Sequence, residues 1–170
     1  MEDNYDFSVL KKKKKVNSRA KGSTFERSIA KMFNDRFKTA EFSRTPGSGA
    51  FATTHTLPDY LKIYGDLITP MNFKYCIECK KGYNKENLYS LYNYSSDFWK
   101  FVDQCEKDSE KCQKIPMVIF KQDRQKTLAI VPYNIIYKSN NYIEIHKEEK
   151  RYKIYLFDDL LKEDDYLWLD

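Results

Sequence analysis

The sequence has no run of 18 or more apolar residues and therefore no segment typical of a membrane-spanning helix. Its first residues include lysines, but no apolar stretch follows them as it would in a secretory signal peptide. We therefore expect a soluble, intracellular protein, cytoplasmic or nuclear, without a membrane partner.

Cysteine and histidine are scarce, with four and two residues among 170. The thiols are Cys76, Cys79, Cys105 and Cys112. A chain of this length can build a core without disulfides, so we interpret them as reduced and partly buried. A zinc module is the weaker interpretation, because Cys76 and Cys79 would lie on opposite faces of a strand. His55 and His146 have no partner at ligand spacing.

The composition, 41% apolar and 16% aromatic, predicts one compact domain, which we place at residues 21–170. Residues 1–20 carry an unbroken basic block, Lys11, Lys12, Lys13, Lys14 and Lys15, and resemble a flexible arm. The arm could contact phosphates, act as a nuclear localisation signal or only solubilise the chain. The net charge of +5 is compatible with a polyanionic partner without requiring one.

Hydrophobic periodicity predicts an α/β (mixed α+β) protein with a central mixed β-sheet flanked by helices. We expect helices at 24–38, 96–112 and 158–162, a strand at 40–44, a loop at 45–62, an antiparallel hairpin of 65–70 with 73–80, strands at 115–120 and 127–131, and a second hairpin of 142–146 with 152–157.

The segment Ile77–Lys80 gives the strongest local indication of chemistry. Alternate side chains share one face of a strand, so Glu78 and Lys80 lie together while Ile77 and Cys79 face the opposite layer. A surface ion pair would explain Glu78 and Lys80 alone. The expected hairpin, however, also brings Asp66 beside Glu78. Two adjacent carboxylates in a low dielectric favour a hard divalent cation such as Mg²⁺, or Mn²⁺ in its place.

Glu26 is a third candidate acid near the start of the first helix. It lies beside Phe25 at the edge of the expected core face, where it could bind metal. Alternatively, Ser23 to Glu26 matches a capping box, in which Glu26 would bond the backbone of Ser23. We favour the metal-related role and keep the capping role as its alternative.

The ordered set of a helix glutamate (Glu26), Ser43–Arg44, the loop Gly47-Ser48-Gly49, Gly65–Asp66 and Ile77–Lys80 resembles the PD-(D/E)XK nuclease superfamily across about residues 21–82. Within it, the pattern is most similar to archaeal and phage-type Holliday junction resolvases. The resemblance implies a restriction-endonuclease-like core and a DNA endonuclease, encoded by a prokaryote, phage or virus. It also implies a homodimer, because junction resolution requires two symmetric cuts in branched DNA.

The resemblance assigns roles to single residues. Asp66, Glu78 and the backbone carbonyl of Cys79 would bind Mg²⁺, Glu26 would bind it directly or through water, and Lys80 would orient the attacking water. Candidate DNA contacts are Ser43, Arg44, Ser48, Lys81 and the lysines of the arm. The superfamily often has Pro-Asp at the acidic position, so Asp59, after Pro58, is an alternative to Asp66.

The sequence pattern also fits functions other than junction resolution. A site-specific enzyme of the homing or restriction type, a nicking endonuclease and a non-catalytic DNA-binding protein all fit the pattern. Tyr83, Tyr89, Tyr92 and Tyr94, mixed with Lys81 and Lys85, could stack on unpaired bases. We favour packing over the sheet edge for these tyrosines.

Overall fold

A computed structural model of the protein describes residues 18–46 and 64–170. Its helices are α1 (Ser18–Phe37), α2 (Asp97–Cys112) and the one-turn α3 (Phe157–Leu160). Its strands are β1 (Ser43–Arg44), β2 (Leu67–Ile68), β3 (Tyr75–Lys81), β4 (Ile115–Lys121), β5 (Leu128–Pro132), β6 (Tyr142–Lys147) and β7 (Lys150–Leu156). Two 3₁₀ turns cover Leu88–Leu91 and Asp165–Leu167.

The central sheet has five strands in the order β3-β4-β5-β7-β6. β3 and β4 are parallel and are joined through α2, whereas the remaining neighbours are antiparallel. This mixed sheet, flanked by helices, confirms the predicted fold class and is consistent with a restriction-endonuclease-like core.

Alternation along the strands divides the interior into two apolar layers. Ile77 and Cys79 of β3 pack in the layer that contains Phe25, Ile29 and Phe33 of α1. The opposite layer joins alternate residues of the sheet to the apolar stripe of α2, which consists of Phe98, Trp99, Phe101, Val102 and Cys105. The sheet is therefore covered by α1 on one face and by α2 on the other, and β3 at its edge contacts both helices.

Helix α1 begins at Ser18, six residues before the predicted start at 24. Its first turns are polar, so they give no hydrophobic period from which the start could be predicted. Ser23 is consequently inside the helix, where its hydroxyl donates to the carbonyl of Ala20. The alternative prediction of a capping box between Ser23 and Glu26 is therefore wrong, because the helix does not begin there.

The predicted hairpin of β2 with β3 is also wrong. β2 pairs antiparallel with β1, in the register Ser43↔Ile68 and Arg44↔Leu67. The residues before β3 bond instead to the end of the chain: Phe73 forms a bridge with Leu169, and the Lys74 N–H donates to the Trp168 carbonyl. This non-local pairing has no signature in the local sequence. The second predicted hairpin, now β6 with β7, is confirmed.

Several predicted features lie outside the described residues. They are the arm lysines Lys11–Lys15, the loop with Ser48, the alternative acid Asp59, and His55. Within the described ranges, no helix is both long enough and apolar enough to cross a membrane.

Candidate active site

Gly65 lets the chain bring Asp66 against β3 although β2 does not pair with it. The φ angle of Gly65 is +76°, and a Cβ at this position would lie only 2.7 Å from the carbonyl oxygen of Ile77. The Asp66 N–H donates to that same oxygen at 2.8 Å, and the Cys79 N–H donates to Asp66 Oδ2 at 2.8 Å. A side chain at position 65 would separate these two segments, so glycine positions the carboxylate of Asp66.

Glu78 is a buried carboxylate with few partners. It is 1% exposed, and its Oε1 accepts no regular hydrogen bond from the described residues, although the Lys80 ammonium lies against it as an ion pair. Burial, together with the charge of Asp66, raises the pKa of Glu78 to about 7. A nearby cation would therefore stabilise the ionised form.

Lys80 lies on the same face of β3 as Glu78, as the alternation predicts. Its ammonium also donates to Gln104 Oε1 of α2 at 3.3 Å and lies 5.3 Å from the centre of the Phe101 ring. Burial has the largest single effect and would lower the pKa of Lys80, but the charge and hydrogen bond of Glu78, together with the charge of Asp66, outweigh it and the pKa is raised. Lys80 is thus held as a cation at the site.

Glu26 is nearly buried in α1 and forms an ion pair with Arg44 of β1. The donor is Arg44 Nε and the acceptor is Glu26 Oε2. Because the residues lie 18 positions apart, this contact results from the tertiary fold and not from helix capping. It places one predicted phosphate contact, Arg44, against one predicted metal-related acid.

A cleft of about 610 Å³ opens over these groups. Its walls include Glu26, Asp66, Glu78, Cys79, Lys80, Lys81, Tyr83, Asn84 and Gln104. Ser43 is exposed on β1 and does not line this cleft. The fold thus brings together all four predicted catalytic residues and Lys81, but not Ser43.

The thiols do not support the zinc interpretation. Cys79 packs in the α1 layer, whereas Cys76 lies on the α2 side, where its carbonyl accepts from the Cys105 thiol. Burial raises the pKa of Cys79 and of Cys105. The residues described here contain no group of three His, Cys, Asp or Glu side chains already arranged as a metal cage.

The carboxylates nevertheless fit a magnesium ion. Mg²⁺ keeps several water ligands and is held in proteins by one or two carboxylates together with substrate phosphates, so it does not require a complete protein cage. The buried Glu78 carboxylate, which accepts no backbone N–H from the described residues, the adjacent Asp66 carboxylate and an open cleft above them meet this requirement. Zn²⁺, in contrast, would require three or four converging protein ligands.

Two contacts in this region were not predicted from the sequence. Gln104 contacts Lys80 from α2, and Phe101 lies against the same ammonium, but nothing in the sequence marks them, because both residues follow the ordinary pattern of an amphipathic helix.

The expectation that the tyrosines after β3 pack on the sheet edge is wrong for Tyr89 and Tyr92, which are exposed.

Comparison with known proteins places this site in context. The chain matches a family described as "phage putative PDDEXK endonuclease" over residues 17–166. It is also similar to Protein D14 of Escherichia phage T5, with 35% identity over 119 residues that cover 66% of this chain and 69% of that protein. No solved structure matches the chain. The family match covers the helix, strands and cleft described above, and the chain therefore belongs to this phage PDDEXK endonuclease family.

Proposed function

We propose that the protein is a Mg²⁺-dependent DNA endonuclease that hydrolyses phosphodiester bonds, and specifically a Holliday junction resolvase. One observation carries the nuclease proposal: Asp66 and Glu78, two buried carboxylates, lie on adjacent backbone beneath an open cleft, with Lys80 beside them. Membership of the endonuclease family supports the same chemistry.

In this proposal, Asp66, Glu78 and the Cys79 carbonyl hold Mg²⁺, with Mn²⁺ able to replace it. Glu26 would bind the ion directly or through water, while its Oε2 accepts from Arg44 Nε. When bound, the cation lowers the pKa of a water molecule and neutralises charge on the phosphate.

Lys80 has two roles in the reaction. Its ammonium already lies at the Glu78 carboxylate, so it can donate a hydrogen bond that orients an attacking water molecule next to the metal ligands. As a compact positive charge, it also stabilises the negative charge that develops on the phosphate oxygens. Gln104 and the Phe101 ring limit the positions that this ammonium can adopt.

The remaining cations bind the DNA backbone. Arg44, whose Nε donates to Glu26, has a planar guanidinium that suits binding of a phosphate. Lys81 lines the cleft beside the catalytic groups. Ser43, Ser48 and Lys11–Lys15 complete the proposed set of contacts, with the arm adding salt-dependent affinity of low specificity.

The choice of a branched substrate rests on the resemblance of the ordered motif to junction resolvases. The same resemblance leads to a second proposal, that the protein is a homodimer, because paired cuts on opposite strands need two active sites related by symmetry. A site-specific or nicking enzyme would use the same residues on duplex DNA, and the substrate comparison below separates these functions.

The test is cleavage of a synthetic four-way junction and of the matching linear duplex, in Mg²⁺ or EDTA. The wild type is compared with Glu78→Gln and with Glu149→Gln, a control in the exposed turn between β6 and β7. We expect paired symmetric cuts in the junction that require Mg²⁺, are lost in Glu78→Gln and persist in Glu149→Gln.

The other outcomes discriminate between the alternatives. Equal cutting of junction and duplex would contradict the resolvase proposal and favour a site-specific or general endonuclease. A single nick per molecule would favour a nicking enzyme. Binding of DNA without cleavage in Mg²⁺ or Mn²⁺ would overturn the enzymatic proposal and leave a DNA-binding protein.

A further inference from the structure

The segment after β3 presents aromatic side chains that the fold does not bury. Tyr89 is 84% exposed and Tyr92 is 88% exposed, while Tyr83 and Tyr94 are about half exposed. We call residues 83–94 the tyrosine segment. Exposed aromatic rings clustered in one short segment add nothing to the core and commonly mark a binding surface.

The backbone of this segment is fastened to the body of the protein. Gln122 Nε2 donates to the Glu86 carbonyl at 2.6 Å, and Trp99 Nε1 donates to the Leu91 carbonyl at 3.0 Å. The Asn87 side chain accepts from the Tyr89 N–H at 2.9 Å and begins the 3₁₀ turn. The rings therefore project from a fixed backbone, so little conformational entropy is lost when they bind a partner.

The 3₁₀ turn determines how the two most exposed rings are placed. Residues three apart in a 3₁₀ helix lie on the same side, about 6 Å apart along its axis. Tyr89 is in this turn, and Tyr92, which caps it, has a helical backbone conformation. Both side chains thus leave the same side of the segment.

The tyrosine segment is continuous with the active-site cleft. Tyr83 and Asn84 line the cleft. The Tyr83 ring packs edge-on against Phe101 at 4.6 Å between ring centres, and Phe101 in turn lies beneath the Lys80 ammonium. The tyrosine segment therefore begins in the wall of the cleft that contains Lys80.

We propose that the tyrosine segment binds unpaired nucleic-acid bases by stacking, next to the point of cleavage. The inference rests on the proposed function, because it takes DNA to be the polymer in the cleft. Lys81 in the cleft wall and Lys85, exposed within the segment, supply positive charge for the phosphates between such bases. Aromatic side chains with nearby cations are the usual means of holding single strands without sequence preference.

This inference narrows the substrate class. In a continuous duplex, each base face is covered by its neighbours and is not available to a tyrosine ring, whereas a branch point or single-stranded flank exposes base faces. The segment should therefore favour DNA with unpaired bases near the scissile phosphate over fully paired DNA.

Stacking is tested first with a tryptophan reporter in EDTA, where no cleavage occurs. Both native tryptophans, Trp99 and Trp168, are fully buried, so Tyr92→Trp introduces an exposed indole. We expect its fluorescence to be quenched by oligothymidylate but not by a blunt duplex. Tyr166→Trp, at a position 62% exposed near the end of the chain, is the matched control and should not respond. No quenching of Tyr92→Trp, or equal quenching of both variants, would overturn the proposal.

The second test separates stacking from general apolar contact. The double variant Tyr89→Leu/Tyr92→Leu keeps apolar bulk but removes both rings, and should bind single-stranded DNA at least about 30-fold more weakly, because stacking contributes about 1–3 kcal/mol for each of the two bases. Tyr89→Phe/Tyr92→Phe should bind like the wild type. Unchanged binding of single strands by the leucine variant would show that the tyrosines serve another partner and would overturn the proposal.

The stacking assays and the cleavage assay test the two proposals separately, so failure of one proposal can be distinguished from failure of the other. A wild type that cleaves DNA while the reporter stays silent would refute base stacking and leave the endonuclease proposal intact. A reporter that is quenched in a protein that cleaves no DNA would refute the endonuclease proposal and support base binding.

Discussion

The floor of the cleft and the C-terminal segment each contain a buried glutamate, and the two carboxylates have different partners. Glu163 is 5% exposed, and its two oxygens accept the N–H groups of Ser139 at 2.8 Å and Lys138 at 3.0 Å. Glu78 is more deeply buried, yet it accepts no backbone N–H from the described residues; its Oε1 lies against the Lys80 ammonium, and a second carboxylate, Asp66, is close by.

The difference shows how a buried charge can reveal its role. A buried carboxylate that receives two backbone donors stabilises the local fold, because leaving those donors without it would cost free energy. A buried carboxylate placed beside another acid destabilises the fold unless a cation joins them. We interpret Glu163 as structural and Glu78 as functional.

The largest effect should come from removing the charge of Glu78. Glu78→Gln keeps the side-chain volume but weakens the proposed metal site, so we expect DNA cleavage in Mg²⁺ to fall by at least about 100-fold. Measured under single-turnover conditions, Glu163→Gln should keep cleavage near the wild-type rate. Similar losses in both variants would remove the distinction between the two glutamates.

Gly65→Ala tests how Asp66 reaches β3. The new Cβ would meet the Ile77 carbonyl at 2.7 Å, and the φ of +76° is unfavourable for alanine, so we expect a loss of about 2–3 kcal/mol in the free energy of unfolding. The control is Gly22→Ala in α1, whose Cβ would have only an ordinary contact at 3.8 Å and should slightly stabilise the helix. Urea denaturation measures both, and equal stability of the two variants would contradict the proposed role of Gly65.

The stability of the folded protein should also depend on pH through Glu78. The folded-state pKa of Glu78, about 7, lies above its ordinary value of 4.5, so the folded protein binds this proton more tightly than the unfolded chain does. Its stabilising contribution is present below pH 4.5 and is lost as pH rises through 7. In EDTA, Glu78→Gln should therefore gain stability over the wild type between pH 5 and pH 8, on the order of 2 kcal/mol.

Adding Mg²⁺ provides the control for the pH experiment. Mg²⁺ at pH 8 should restore stability to the wild type but not to Glu78→Gln, because only the former retains both carboxylates. A stability difference between the two proteins that is constant from pH 5 to pH 8 would contradict the pKa assigned to Glu78.

The smallest effect is expected at Glu163. Glu163→Gln replaces one acceptor oxygen with an amide group that cannot accept, so one backbone N–H loses its partner and unfolding should become about 1 kcal/mol easier. Thermal unfolding with and without Mg²⁺ should show the same loss. A loss that disappears on adding Mg²⁺ would indicate that Glu163, too, belongs to a metal site.

The sequence predicted those parts of the molecule that depend on local periodicity. The alternation of β3 correctly placed Glu78 and Lys80 on one face and Ile77 and Cys79 on the other, and the stripe of α2 predicted its bounds to within one residue. The fold class followed from the same patterns.

The remaining features depend on contacts between distant segments. The bridge between Phe73 and Leu169 joins residues almost a hundred positions apart, and it takes the place that the predicted hairpin assigned to β2. The ion pair of Glu26 with Arg44 and the contact of Gln104 with Lys80 have the same non-local origin. Sequence motifs indicated which residues would meet at the site, but not the partners that hold them there.

The central claim is that Glu78, unlike Glu163, serves to bind a divalent cation. Titration of Mn²⁺, followed by electron paramagnetic resonance, tests it directly in the wild type, Glu78→Gln and Glu163→Gln, without DNA. The account predicts that Mn²⁺ binds the wild type and Glu163→Gln alike and binds Glu78→Gln at least tenfold more weakly. Equal Mn²⁺ affinity in all three proteins would contradict it.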